Sequence, residues 1–154
     1  MKIPGLILKQ MYTLGSLQNL EEGVRFSLKN RLADATLLSL VEVKIGGQTV
    51  ALDRVTLHLQ DGTLRGHEVS ETRPVPFPLA RVVQIDVEIP ALAKGQHEIA
   101  LAFETKPFGS LSFKVKDAIA DEVVKRATVP LDKENNYNPA IVQARQQFAE
   151  QYSG

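Results

Sequence analysis

The chain has no cysteine and no tryptophan, and aromatic residues make up only 6% of its 154 positions. Without cysteine there is no disulfide framework, no thiolate metal site and no cysteine nucleophile, which fits a reducing cytoplasm. Without tryptophan, and with tyrosine confined to Tyr12, Tyr137 and Tyr152, there is no aromatic platform on which sugars could stack. Net charge is missing too. Eighteen basic residues balance eighteen acidic ones, so no global field draws nucleic acid or an anionic membrane. No run reaches the roughly 18 apolar residues that a membrane span needs. The apolar stretch behind Met1 is broken at Lys9 and Gln10, short of a secretory core. The expectation is a soluble, cytoplasmic protein without nucleic-acid or membrane partners.

Catalytic constellations are equally sparse. The three histidines are His58, His67 and His97. His58 has the parity of a solvated sheet face. His67 stands beside Glu68 in a turn region, with no second histidine at ligand spacing. His97 shares the parity of Ile99 and reads as a partly buried strand-start residue. Convergence of the three from separate strands into a composite site stays open at this level. The acidic pairs Glu21-Glu22 and Asp121-Glu122 are adjacent residues, which a strand would point to opposite faces. Ser16, Ser39, Ser110 and Ser112 lack a G-x-S-x-G frame, and no Walker or G-x-G-x-x-G sequence is present. No catalytic, cofactor-binding or metal-ligating residue is assigned to this chain.

Strict alternation fills the space that chemistry leaves. Val24, Phe26 and Leu28 alternate with polar residues, as do Val41, Val43 and Ile45. The same holds for Val55, Leu57 and Leu59, for Val83, Ile85, Val87 and Ile89, for Ile99, Leu101 and Phe103, and for Leu111, Phe113 and Val115. Successive strand side chains point to opposite faces, so each segment buries one face and wets the other, the signature of antiparallel sheets. Gly46-Gly47, Asp61-Gly62, Lys94-Gly95 and Pro107-Phe108-Gly109 punctuate the strands at hairpin spacing. The pattern predicts an all-β antiparallel sandwich, immunoglobulin-like or jelly-roll-like, with seven or eight strands over residues 1–118.

Two segments stand apart. Residues 73–80 carry a proline at every second position from 74 to 78, which suits an extended edge or crossover rather than a central strand. Val75 and Phe77 share a parity there and either tuck under the sheets or face a partner. Residues 119–154 form a C-terminal arm with a helix over about 139–152, Asn138 at its N-cap and Pro139 at its first position. Ile141, Ala144, Phe148 and Tyr152 share one face of that helix, which either clasps a neighbouring subunit or folds back on its own domain. The interface expected from these patterns is Val75, Phe77, Ile141, Phe148 and Tyr152.

Ser16, Leu17, Asn19, Gly23, Phe26, Gly46, Gly47 and Val50, followed by Gly95, His97, Ile99 and Gly109, form a pattern that resembles the small β subunits of bacterial C-glycoside deglycosidases. The resemblance implies a β-sandwich that assists a larger TIM-barrel subunit, which would hold a divalent metal and cleave a carbon–carbon bond. It implies no catalytic residue or cofactor in this chain, and a hetero-oligomer as its assembly. A related domain is also similar to sequences joined to, or found near, bacterial hydroxymethylglutaryl-CoA reductase-like proteins, which implies service to other enzymes. A self-associating structural or ligand-binding sandwich, a homo-oligomer, is the alternative.

Overall fold

The structure is a computed structural model that describes residues 3–120. A one-turn helix α1 (Gly5–Leu8) and a 3₁₀ turn (Lys9–Met11) lead into ten strands. These are β1 (Gln18–Leu20), β2 (Gly23–Lys29), β3 (Ala35–Ile45), β4 (Gln48–Thr49), β5 (Val55–Leu59), β6 (Gly62–Arg65), β7 (Val75–Phe77), β8 (Val82–Val87), β9 (Gly95–Lys106) and β10 (Gly109–Ile119). One sheet runs β1-β2-β8-β5-β6. The other runs β10-β9-β3-β4, with β7 also on β3. Every strand pairing is antiparallel. The order β1-β2-β8-β5 against β10-β9-β3 is that of immunoglobulin-like sandwiches. The count exceeds the expected seven or eight because β4 and β7 span two and three residues, too few for alternation to show.

The alternating apolar residues become the two inner faces. Val24, Phe26, Leu57, Ile85 and Val87 of the first sheet and Val43, Ile99, Leu101 and Phe113 of the second are all buried. Each such side chain contributes about 1.5–3 kcal/mol by leaving water. Gly46 and Gly47 make the β3–β4 turn with φ of 61° and 83°, the left-handed pair that a two-residue hairpin matching strand twist requires.

In β3 the alternation misleads. Its register on β9 slips between Leu37 and Ser39 and again between Leu40 and Glu42, so Leu38 and Val41 have no residue opposite. The core-side pairs are Leu37–Thr105, Leu40–Phe103, Val43–Leu101 and Ile45–Ile99. Val41, inward by simple parity, is 52% exposed. A bulge adds one residue and flips the side chains that follow.

The segment before β1 closes one side of the sandwich. Tyr12 bridges to Leu28 and the Thr13 N–H donates to the Ser27 carbonyl at 3.0 Å, which extends pairing along the β2 edge. From there the segment reaches β10, the edge strand of the other sheet, through the Asp117 carboxylate. Ile119, the expected start of the arm, is the last residue of β10, and residues 121–154, with the expected helix, lie outside the described residues.

Candidate functional site

The outer face of the first sheet brings one set of titratable groups together. Asp86 on β8 stands between Arg25 on β2 and His58 on β5. Arg25 Nε donates to Oδ1 at 2.6 Å and Arg25 Nη2 to Oδ2 at 3.0 Å, a two-pronged ion pair. His58 Nε2 lies 2.8 Å from Oδ2. Burial pushes the Asp86 carboxyl upward, but the hydrogen bonds from Arg25 and His58 outweigh it and hold the group below the usual carboxylate range. Imidazole and carboxylate are the orienting half of a nucleophilic site. Among the described residues no hydroxyl is hydrogen-bonded to His58. The cluster acts as a polar staple across three strands, and His58 is more than the solvated histidine its parity suggests.

The other histidines go elsewhere. His97, at the start of β9, has Nε2 2.7 Å from the Ala93 carbonyl oxygen. His67 sits in a 3₁₀ turn (Gly66–Glu68) between β6 and β7. The three share no partner, and no group of three or more histidines and carboxylates is placed to hold a metal among the described residues.

Asp117 is the buried acid that the sequence analysis passed over. It is 7% exposed and accepts from Tyr12 Oη at 2.8 Å and from the N–H groups of Gly15, Leu17 and Ala118 at 2.9–3.2 Å. Burial first, then the hydrogen bond to Asp117, raises the Tyr12 phenol far above its ordinary range. Tyr12 is the donor in its bond to Asp117. The signal was available: Asp117 continues the inward parity of Leu111, Phe113 and Val115.

The void enclosed by Leu28, Leu57, Phe77, Ile85, Leu101 and Phe103 measures about 20 Å³, room for roughly one water in a lining with no polar surface. Val75 and Phe77 are 2% and 1% exposed. They pair with Leu37 and Ala35 of β3, so of the two placements open in sequence the structure has both side chains tucked under the sheets. Ile141, Phe148 and Tyr152 lie outside the described residues. The large apolar side chains that do face solvent are Leu6, Ile7, Leu14, Val41, Leu79 and Val82. No helix among the described residues is long and apolar enough to cross a membrane.

Residues 7–120 match the family model of the hydroxymethylglutaryl-CoA reductase N-terminal domain, and the chain belongs to that family. No curated protein matches it. The family match overturns the deglycosidase resemblance, and the metal-bearing TIM-barrel partner and the lyase reaction lose their support with it. The residues behind that resemblance are ones an immunoglobulin-like sandwich uses for its own architecture. Gly46, Gly47 and Gly109 adopt positive φ in turns, and Phe26 and Ile99 are core. Such positions report the fold and not the enzyme served.

Proposed function

We propose that this chain, as a hydroxymethylglutaryl-CoA reductase N-terminal domain, is a non-catalytic accessory sandwich for a larger reductase-like catalytic unit, joined to it in one polypeptide or bound to it as a separate chain. The observation that carries the reading is the family match over residues 7–120, which takes in the whole sandwich. The chemistry of the described residues agrees with it. The Asp86 carboxylate is spent on Arg25 and His58, and Asp117 is spent on anchoring the N-terminal segment. An accessory domain acts through a surface, by positioning or stabilising its partner, and a rigid two-sheet scaffold suits that task.

Two measurements test this. The purified chain is assayed alone for turnover of hydroxymethylglutaryl-CoA, with none expected. It is then mixed with a reductase-like catalytic chain and followed by light scattering on a sizing column, with a joint peak expected. Turnover by the chain alone that His58→Ala abolishes would overturn the reading, as would two separate peaks at all concentrations tried.

A further inference from the structure

The strands at the borders of the two sheets differ in length. β1, β6 and β4 span three, four and two residues, whereas β10 spans 11. It pairs with β9 without a register shift and contains no proline. Short edges, bulges and prolines are the devices that keep a sheet border from pairing with another chain, and β10 uses none of them. Two hydrogen bonds fix which of its backbone groups face outward. The Gly46 N–H donates to the Glu98 carbonyl at 2.8 Å, so even-numbered residues of β9 turn their peptide groups toward β3 and odd-numbered ones toward β10. Each odd residue of β9 lies opposite an odd residue of β10. Ser110, Ser112, Lys114 and Lys116 therefore direct N–H and C=O away from the sheet. The Ala118 N–H obeys the same rule and donates to the Asp117 carboxylate at 2.9 Å.

Past Lys116 the edge is taken by the N-terminal segment, whose Gly15 and Leu17 N–H groups donate to that carboxylate. From Ser110 to Lys116 the outward groups have no backbone partner among the described residues, and Ser110, Ser112, Lys114 and Lys116 are all exposed. Apolar surface borders the same strand. α1 packs against β10, and on it Leu6 is 77% and Ile7 40% exposed.

We propose that β10 pairs with β10 of a second copy of this chain across a two-fold axis, joining the two sheets into one. The open stretch is self-complementary. With the axis at Phe113, Ser112 lies opposite Lys114 of the second copy and Ser110 opposite its Lys116, so every outward group from Ser110 to Lys116 gains a partner. On the inner side Leu111 meets Val115 of the second copy and Phe113 meets its own counterpart, which continues the apolar face. An axis at Lys114 sets that lysine directly against itself, a like-charge pair. An axis at Ser112 carries Lys116 past Gly109, where β10 begins. The lysines thus select one alignment. A second copy also brings its own α1 to this border, where Leu6 and Ile7 are exposed, as a two-fold interface of one patch with itself requires. A strand of another protein has no such match built into this sequence. The inference does not depend on the accessory reading.

Sedimentation equilibrium of the full chain, with circular dichroism to check folding, tests the proposal through three variants. Ser112→Pro removes an outward N–H and leaves the β9 ladder its bonds. Ser112→Glu faces Lys114 of the second copy with opposite charge, twice per dimer, and Ser112→Lys faces it with like charge. The expected result is a dimeric wild type and a monomeric Ser112→Pro. Association should tighten about threefold or more in Ser112→Glu and weaken as much in Ser112→Lys. Should Ser112→Pro fail to fold, the two charged variants decide. A wild type that stays monomeric at every concentration tried overturns the proposal, as does a dimer that none of the variants shifts. Equal weakening by glutamate and lysine overturns the alignment. A monomeric wild type whose binding to a reductase-like catalytic chain is abolished by Ser112→Pro gives the edge to that chain and overturns the second copy.

Discussion

The hydroxyl of Tyr12 donates to Asp117 Oδ2 at 2.8 Å across 105 positions of sequence, and both residues are buried. Tyr12 also stacks on Phe26 with ring centroids 5.5 Å apart. One side chain thereby ties the N-terminal segment to the edge of one sheet through its ring and to the edge of the other through its oxygen. A buried carboxylate survives only where donors surround it, and here three backbone N–H groups and the phenol do so.

Tyr12→Phe leaves that carboxylate with its three N–H donors and removes the fourth. The expected loss is about 1–3 kcal/mol of folding stability, read as a lower urea midpoint with an unchanged slope. A midpoint equal to that of wild type would show that the phenol is dispensable.

Asn30 is a second buried hub. Its side-chain amide donates to the Phe77 and Ala33 carbonyls at 2.6 and 2.8 Å, and its oxygen accepts from the Leu32 and Ala33 N–H groups. Asn30→Ala strands those groups and should cost about 2–3 kcal/mol. Thermal melting that shifts by less than about a degree would contradict the assignment.

Asp86 makes stability depend on acid. Its folded-state carboxyl titrates below the ordinary range. Its contribution is therefore complete above the unfolded value near about 3.9 and is lost as pH falls through the lower folded value. Wild type should lose stability on acidification below about pH 4, and Asp86→Asn should be less stable at neutral pH with a shallower loss over that window. Parallel curves of melting temperature against pH for the two proteins would remove Asp86 from the account.

The bulge in β3 separates two neighbours that look alike in sequence. Leu40→Ala removes a side chain packed against the core and should cost about 2 kcal/mol or more. Val41→Ser changes an exposed position and should stay within about 0.5 kcal/mol. Denaturant titration of both variants checks the assignment, and the reverse order would return β3 to simple alternation.

The sandwich was legible because burial of one face writes itself into the sequence at period two. Phe26, Ile85, Leu101 and Phe113 all fall inside as that period demands, and Gly46-Gly47 turns where two left-handed residues are needed. Short strands were not legible, since β4 and β7 hold too few residues to show a period. The family was legible only as the second resemblance, to domains joined to or found near hydroxymethylglutaryl-CoA reductase-like proteins, which the family match supports; the first resemblance failed because the glycines and core residues compared are shared by any sandwich of this order. Val75 and Phe77 show the limit of parity: it told that they share a side, and only the pairing of β7 with β3 told that the side is the core.

By itself the sequence determined the fold class, the absence of cysteine chemistry and the faces of the regular strands, all of which depend on residue type and on neighbours one or two positions away. The tertiary structure decided which distant groups meet. Tyr12 with Asp117, Arg25 with His58 through Asp86, and Asn30 with Arg81 and Phe77 are matters of strand order and register. Hydrogen bonds and charges act over a few ångströms whatever the separation along the chain, so no local pattern records them.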